Sequence, residues 1–515
     1  MGYAENRGGY FRARYKQPDG RYGTVKDANG RSAKYSTKSA AEKAADAEEA
    51  KVNAGLWRDP DSGQTKFGEY ASRWYADQDL APSTMQNYRR HLEEHLLPEF
   101  EETALADIHK PDVTAWVKKE RGQGYKPSSI KTWRGTLHLV LEDAIDEGLI
   151  DSNPAAVRRG RGKRAGRSSN RGPEKAVTDA LGLLLIAERA SLLSGRNDEF
   201  VAIMTMGYTG VRWGELVGLE QRYLRRERIR IESQLYELDT GELIKCPPKD
   251  DSYRNIDLPD WLYTLNSDHI SHAGIDRCPC HGDKYVYRGL SAANGTSNRP
   301  GVKLADVARC AGVAIGTASA VLNRPDAVAA KTRAKVETAI AELGYVRNGV
   351  DGRPAAHWRR SGFAAWIFQP AVTGFYPRRA PNPAHPVPLI AEPWPGVPAR
   401  GRGAAGRAEA NWTPIAPGLT PHGLRHSHMV MLDEFRTPSV LIEERFGHIN
   451  GTVSARYKHV SKDMRTELLE SLTDLWNKTL DERLALNPRS PVAALDKVLL
   501  ARSANTNASV PKAVP

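Results

Sequence analysis

Two things are scarce in this chain: cysteine and long apolar runs. Only four cysteines occur in 515 residues, too few for a disulfide framework, which favours a reducing cytoplasm. The opening stretch MGYAENRGGYF lacks the apolar core of a signal peptide, and no stretch approaches the length that spans a membrane. We therefore expect a soluble cytoplasmic protein with no membrane partner. At 515 residues it is also too long for a single hydrophobic core, so several domains are expected.

Acidic residues are absent from residues 155–172, AAVRRGRGKRAGRSSNRG, although seven lysines and arginines occur there. Glycine, serine and charge of one sign cannot build a core, so this stretch is predicted to be an extended linker. The whole chain is basic, with 74 Lys and Arg against 62 Asp and Glu and a net charge of +12. A basic excess suggests a polyanionic partner such as nucleic acid. Such a linker would follow DNA phosphates, with the following residues as candidate contacts: Arg158, Arg159, Arg161 and Lys163.

Residues 1–60 alternate aromatic and basic residues between the turn sequences PDG and DANG. This pattern predicts three strands, and an alanine-rich helix that ends at Gly55 follows them. Arg12 and Arg14 would lie on the exposed face of the sheet. That face is either a small DNA-binding module or a charged surface that only keeps the protein soluble.

Residues 65–154 are predicted to form a compact domain of four amphipathic helices. Their apolar residues recur at helical spacing, beginning with Phe67, Tyr70, Ala71 and Trp74 at i, i+3, i+4 and i+7. After the linker, residues 173–480 read as a mixed helix and strand domain, and residues 481–515 as a C-terminal tail. The predicted fold class is multidomain and mainly α with small β-sheets (α+β).

Four sequence stretches of the third domain contain residues suited to phosphodiester chemistry. They are TGVRWGEL, PPKDDSYRNIDLP, LTPHGLRHSHMVML and FGHINGTVSARYKHV. The last places a tyrosine between two cations rather than among apolar neighbours, which is unusual for a structural tyrosine. In chain order the stretches carry six candidate catalytic residues: Arg212, Lys249, His422, Arg425, His448 and Tyr457.

These stretches, in this order, resemble the tyrosine recombinases of the phage-integrase family. The resemblance implies that Tyr457 is the nucleophile and forms a 3′-phosphotyrosine with DNA. Arg212 and Arg425 would neutralise charge on the phosphate, because the planar guanidinium matches its oxygens. By the same analogy His422 would act as the acid/base group, Lys249 would protonate the 5′ leaving oxygen, and His448 would hydrogen-bond the phosphate. No cofactor and no catalytic metal are implied, because cationic side chains provide the neutralisation.

The connection between Lys249 and His422 is interrupted by an apparent insertion, residues 302–348. Its pattern predicts three helices, 303–311, 315–322 and 331–343. The stretches LADVARCAGV, TASAVLN and TRAKVETAIAELGY resemble the helix-turn-helix headpiece of lactose-repressor-type regulators. That resemblance implies that Thr317 and Ser319 face the DNA major groove. A three-helix decoration that binds nothing is the alternative.

Just before the insertion, HISHAGIDRCPCHG brings together five metal-ligating residue types: His269, His272, Cys278, Cys280 and His281. Cysteine and histidine at short spacing can hold Zn²⁺. The spacing C-x-C-H is not that of a standard zinc finger, however, and no second C-x-x-C pair follows. We therefore expect an unmetallated loop here and no metal site.

The resemblance implies an integrase of a phage or mobile element that integrates and excises DNA at double-stranded attachment sites. It also implies a homotetramer on nucleoid-associated DNA, with a directionality factor (excisionase) and a host DNA-bending protein as partners. A type IB topoisomerase shares the same residue types and is an enzymatic alternative. A transcription regulator that carries a recombinase-derived domain is an alternative of another class.

Overall fold

The computed structural model divides into two compact units, residues 1–170 and 171–515. Helices predominate and every sheet is small, which confirms the predicted mainly helical α+β class. Among the described helices, none is both long and apolar enough to cross a membrane. The residues described are 2–27, 31–55, 57, 62–157, 174–272, 277–278, 280–290, 304–314, 317–318, 321, 328–343, 355–379, 381–448 and 459–508.

The N-terminal module is an antiparallel sheet packed on one helix. Its elements are β1 (Tyr3–Asn6), β2 (Phe11–Lys16), β3 (Tyr22–Thr24) and α1 (Lys38–Asn53). Along β2 the side chains alternate, so Ala13 and Tyr15 are buried, in one cluster with alanines of α1. Arg12 and Arg14 therefore lie on the opposite face, where both are half-buried. That this face contacts DNA stays a prediction.

A helical bundle follows in the first unit. Its helices are α2 (Phe67–Ala76), α3 (Pro82–His91), α4 (Leu97–Phe100), α5 (Lys110–Gly122) and α6 (Pro127–Asp146). The predicted apolar stripe of α2 is buried throughout, and it shares one core with α5 and α6. Trp133 stacks on His95 with their ring centroids 3.4 Å apart, so the long α6 is fixed against the turn that joins α3 to α4.

The second unit begins with four helices and a strand region that together carry the first predicted site residues. The helices are α7 (Ala180–Ser194), α8 (Asp198–Thr209), α9 (Trp213–Val217) and α10 (Asp260–His272). The strands are β4 (Leu224–Arg225), β5 (Arg228–Ile231), β6 (Gln234–Glu237), β7 (Leu243–Cys246) and β8 (Arg254–Asp257). β4, β5 and β8 form one antiparallel sheet, and β6 and β7 form a separate hairpin.

The chain leaves this unit for the insertion, and returns from it, through a two-stranded antiparallel ladder. β9 (Gly289–Leu290) pairs antiparallel with β10 (Ala355–Ala356). Between them lie α11 (Leu304–Cys310) and α12 (Ala330–Leu343), whose buried side chains form an apolar cluster of their own. These helices agree with the first and third predicted helices of the insertion. The second is described only at residues 317, 318 and 321.

The remaining elements return the chain to the core and complete it. Short helices and two-residue ribbons come first: α13 (Arg360–Phe363), α14 (Gln369–Thr373), β11 (Phe375–Tyr376), β12 (His385–Pro386), β13 (Leu389–Ile390) and β14 (Val397–Pro398). Four longer helices follow: α15 (Gly423–Glu434), α16 (Ser439–Phe446), α17 (Lys462–Leu486) and α18 (Ala493–Ala508).

The expectation of a C-terminal tail from residue 481 needs correction. Helix α17 continues to Leu486, and Val492, Leu495 and Leu499 are buried in the same core as the rest of the second unit. The apolar side chains recur at i, i+3 and i+7, a short helical stripe. The segment therefore belongs to the folded domain at least as far as Leu499.

A buried ion pair fastens this C-terminal region to α7. Arg483 donates from Nη2 to Glu188 Oε1 (2.6 Å) and from Nε to Glu188 Oε2 (3.0 Å), and both side chains are fully shielded from solvent. Ser490 Oγ donates to the same carboxylate at 2.6 Å. Removing one partner would leave an uncompensated charge in a dry environment, which is strongly unfavourable.

We predict that Arg483→Met destabilises the protein by about 3–5 kcal/mol, the usual effect of breaking a buried pair. Denaturant unfolding followed by tryptophan fluorescence measures the change. Lys478→Met on the same helix is the matched control, because its pair with Glu482 is exposed and 3.9 Å long, and such pairs contribute about 0–1 kcal/mol. Equal effects of the two substitutions would contradict the assigned role of the buried pair.

Candidate active site

Arg212 lies at the turn between α8 and α9. Gly210 ends α8 with φ of +67°, and a Cβ there would lie 2.9 Å from the His428 ring, so the turn requires glycine. The Arg212 backbone N–H donates to Glu215 Oε2 (2.8 Å) and caps α9. Its Nη1 donates to Glu215 Oε1 (2.8 Å) and Ser252 Oγ (3.1 Å). With 20% of its side chain exposed, Arg212 is fixed at its base and still accessible.

Glu215 is a buried carboxylate shared by two arginines. Arg254 on β8 binds it through two parallel bonds, Nη1 to Oε1 (2.9 Å) and Nη2 to Oε2 (2.7 Å). Burial alone would raise the pKa of Glu215, but the hydrogen bonds and charge of Arg254, and then those of Arg212, lower it below the ordinary value. The carboxylate is therefore ionised at neutral pH and offsets one of the two positive charges.

Arg425 on α15 is buried and held by backbone carbonyl groups. Its Nη1 donates to Gly210 O (2.5 Å), and its Nη2 donates to Phe446 O (2.6 Å) and His448 Nε2 (3.2 Å). Burial, followed by the charge of Arg212, lowers the pKa of Arg425, to about 9, which still leaves it cationic at neutral pH. Arg425 thus joins the end of α8 to the end of α16.

Two of the predicted histidines adjoin the arginines. His448 contacts Arg425 as above, and its pKa is lowered by partial burial and by the charges of Arg425 and Arg212. His422 immediately precedes α15, and its pKa is lowered by burial and then by His426 and Arg425. Both rings are therefore neutral at physiological pH. The structure brings four predicted residues into one cluster: Arg212, His422, Arg425 and His448.

Lys249 is exposed on the turn of residues 249–251 that joins β7 to β8. Asp250 and Asp251 in this turn have φ of +57° and +50°, the left-handed conformation that non-glycine residues rarely adopt. The turn leads directly to Ser252, the partner of Arg212. The element that carries Lys249 therefore borders the cluster.

Several predicted residues lie outside the described part of the chain. Tyr457 is one, since the description stops after His448 and resumes at His459. Ser319 and the four linker residues Arg158, Arg159, Arg161 and Lys163 are the others. Thr317 is described and half-buried. The nucleophile and all DNA contacts stay predictions.

Sequence reasoning missed the residues that support the arginines. Glu215, Ser252 and Arg254 were all present in the quoted stretches TGVRWGEL and DDSYRNIDLP. A carboxylate three residues after Arg212 was the available signal, because residues at i and i+3 meet at a helix start. Arg445 had no such signal. It is buried, and it donates from Nε to His428 Nε2 (2.9 Å) and from Nη2 to Tyr208 O (2.8 Å).

Comparisons with known proteins bear on two segments. Residues 67–161 match the phage integrase central domain family, and residues 303–348 match the bacterial regulatory proteins of the lacI family. The chain is also 55% identical over 49 residues to the lactose operon repressor of Escherichia coli (strain K12), covering 10% of this chain and 14% of the repressor.

Two longer matches are to integrases and recombinases. A putative prophage phiRv2 integrase of Mycobacterium tuberculosis (strain CDC 1551 / Oshkosh) is 25% identical over 297 residues, 53% of this chain and 74% of the relative. Tyrosine recombinase XerC of Shewanella amazonensis (strain ATCC BAA-1098 / SB2B) is 29% identical over 168 residues, 32% of this chain and 53% of the relative. The chain is thus similar to phage integrases and tyrosine recombinases, and residues 303–348 match a lacI-type regulatory segment.

His428 makes the stability of this region depend on pH. It is fully buried and accepts a hydrogen bond from Arg445, so its pKa is lowered well below 6.5 by burial and then by the charges of Arg445 and Arg425. Because the unfolded chain binds this proton more readily, the stabilisation is complete above pH 6.5 and is lost as the pH falls below it.

We predict that His428→Gln reduces the acid sensitivity of unfolding by up to about 1.4 kcal/mol per pH unit below pH 6.5, the contribution of one proton. Denaturant unfolding at pH 7.5 and pH 5.5 gives the two slopes. His459→Gln, at an exposed histidine, is the control and should leave the slope unchanged. An unchanged slope in His428→Gln would show that this ring does not titrate on unfolding.

Proposed function

We propose that this recombinase cleaves DNA with Tyr457 as nucleophile and rejoins it by reversing the same step. The phenolic oxygen would form a bond to phosphorus while the bond from phosphorus to the 5′ oxygen breaks. The result is a 3′-phosphotyrosine and a free 5′ hydroxyl. The observation that carries this proposal is the cluster of Arg212, His422, Arg425 and His448, assembled from separate segments of the chain.

The two arginines retain enough donors to bind a phosphate. A guanidinium has five N–H groups. Arg425 uses three of them, on Gly210, Phe446 and His448, and Arg212 uses two, on Glu215 and Ser252. Among the described residues, five N–H groups of the pair therefore have no hydrogen-bond acceptor assigned. Donors fixed before the reaction stabilise the charge that develops on the nonbridging oxygens.

Proton transfer is assigned to two groups. His422 is neutral at physiological pH for the reasons given above, so it can accept the phenolic proton as Tyr457 attacks. Lys249 would then protonate the 5′ oxygen as it leaves, from a turn that borders the cluster. His448 adds a hydrogen bond to the phosphate. Because these side chains supply both the charge and the protons, the proposed step uses no catalytic metal and no cofactor.

Double-stranded DNA is the partner, and the finer assembly is part of the proposal. We assign integration and excision of a phage or mobile element at attachment sites, by a homotetramer. A directionality factor and a host DNA-bending protein would select the direction. Arg12 and Arg14 would contact DNA from the N-terminal sheet, and the basic linker would follow phosphates between the two units.

We predict that Tyr457→Phe abolishes covalent capture of nicked attachment-site DNA and leaves binding nearly unchanged, because it removes one hydroxyl and no charge. A denaturing gel measures the adduct, and a mobility shift measures binding. Tyr253→Phe is the matched control, since Tyr253 is an exposed tyrosine beside the site, and it should still form the adduct.

The adduct assay and a plasmid-relaxation assay together separate the alternative functions. A transcription regulator with a recombinase-derived domain would form no adduct even with Tyr457 present. A type IB topoisomerase would relax supercoiled plasmid that contains no attachment site. A normal adduct from Tyr457→Phe would overturn the assignment of the nucleophile.

We predict that core and linker arginines act on different quantities. Arg212→Ala and Arg425→Ala should each lower the cleavage rate by about 10²–10³-fold, as loss of a transition-state donor does. Neutralising Arg158, Arg159, Arg161 and Lys163 together should instead weaken binding. It should also reduce the slope of log affinity against log salt by about 3, through lost counterion release. Equal effects of both sets on cleavage of bound DNA would contradict this division.

A further inference from the structure

Two cysteines and two histidines converge at the base of the insertion, and none of the four belongs to the candidate active site. They are Cys278, Cys280, His281 and His357, and one ligand atom from each lies within 4.8 Å of all the others. Cys278 Sγ lies 3.1 Å from His357 Nε2 and 3.7 Å from His281 Nδ1, and Cys280 Sγ lies 3.2 Å from His281 Nδ1. His357 follows the insertion, 76 residues after His281, so no sequence spacing connects them.

These separations suit a tetrahedral metal site. With Zn–S near 2.3 Å and Zn–N near 2.0–2.1 Å, ligand atoms around one zinc ion lie roughly 3.3–3.8 Å apart. Of the three distances given above, 3.7 Å falls within this range, and 3.1 Å and 3.2 Å lie just below it. Two thiols and two imidazoles form a ligand set that structural zinc sites use, and it leaves no coordination position open.

The histidine tautomer also fits metal binding. His281 Nε2 lies 3.0 Å from the carbonyl oxygen of Leu243, and a carbonyl only accepts. Nε2 therefore carries the hydrogen, and Nδ1 presents its lone pair to the two sulfurs. Such an outer hydrogen bond commonly orients metal-bound histidine.

The backbone around the cysteines supports the same arrangement. The N–H of Cys280 donates to Cys278 Sγ at 3.3 Å, a contact that stabilises a thiolate. Cys278 also forms a tight turn, in which its carbonyl accepts from Gly282 at 2.9 Å and its N–H donates to Asp283 O at 2.8 Å. Gly282 has φ of +71°, so the turn brings His281 back over the cysteines.

The other two histidines of the HISHAGIDRCPCHG stretch have different partners. His269 is buried, with Nε2 on the carbonyl oxygen of Val286 (3.0 Å). His272 Nδ1 lies 2.6 Å from Asp268 O, within its own helix. His269 and His272, which the sequence grouped with the cysteines, are therefore not part of the cluster. His357 takes their place.

We propose that Cys278, Cys280, His281 and His357 bind one zinc ion that fastens the insertion to the catalytic domain. The ion would close the same loop as the β9–β10 ladder, since both join the chain before the insertion to the chain after it. This proposal replaces the expectation of an unmetallated loop, and it is independent of the proposed cleavage step.

The site also borders the element that carries Arg212. His357 packs edge-on against the buried Tyr285, with centroids 4.6 Å apart, and its neighbour Trp358 lies 6.3 Å from Trp213 of α9. Metal binding would therefore stabilise the start of α9, next to Arg212.

The test uses the full-length chain, stripped with a chelator, dialysed and titrated with Zn²⁺ or Co²⁺. We expect one Zn²⁺ per chain by elemental analysis. With Co²⁺ we expect the intense visible absorption of a tetrahedral site and a thiolate-to-cobalt charge-transfer band. In Cys278→Ser and in His357→Ala, the bound Zn²⁺ per chain and the cobalt absorption should each fall at least tenfold. Cys246→Ser and His272→Gln, outside the cluster, should keep them.

His357 is the decisive residue of the test, because it is the one proposed ligand that follows the insertion. Retention of stoichiometric metal by His357→Ala would show that the insertion is not fastened by the ion, and would overturn the proposal. Lack of metal uptake by the unmodified chain would also overturn it. If His357→Ala fails to fold, His357→Cys, which supplies another zinc ligand, should fold and bind metal. Because metal content is the readout, failure here differs from failure of Tyr457 to form an adduct.

Discussion

The buried carboxylate of Glu215 is the constraint on which the candidate site depends. Arg212, Arg254 and Arg425 are brought close together inside one domain, and like charges repel strongly where water is excluded. Glu215 offsets this repulsion and fixes Arg212 and Arg254 through four hydrogen bonds. The remaining arginine is held by carbonyl dipoles instead. The site is therefore organised before DNA arrives, at the expense of a buried charged network.

Much of the fold could be predicted from local patterns. The stripe of Phe67, Tyr70, Ala71 and Trp74 gave its helix because burial of one face requires that spacing. The catalytic candidates could be named because each lies in a short stretch with a recognisable order. Glu215 and Arg254 were in view but unassigned, since a supporting role shows only in three dimensions. His357 could not be paired with His281, because nothing local links residues on either side of an insertion.

Arg425, a candidate phosphate ligand, also holds the start of the segment that leads to the proposed nucleophile, Tyr457. Its Nη2 holds the carbonyl group of Phe446, the last residue of α16, and the chain then turns at Gly447, where φ is +64°. A Cβ at Gly447 would lie 2.9 Å from Ser252. The turn is therefore packed tightly against the residue that accepts a hydrogen bond from Arg212. The chain that leads to Tyr457 thus starts from a point fixed by both candidate phosphate ligands.

The β9–β10 ladder brings the two ends of the inserted segment close together. Because Gly289 and Leu290 pair directly with Ala356 and Ala355, the two ends of the inserted segment are only about 4.5–5.5 Å apart between paired Cα atoms. Many compact domains have neighbouring termini at their surface. The ladder thus has the end-to-end spacing that an inserted compact domain requires, and another domain of that kind grafted there should leave the surrounding backbone geometry undisturbed.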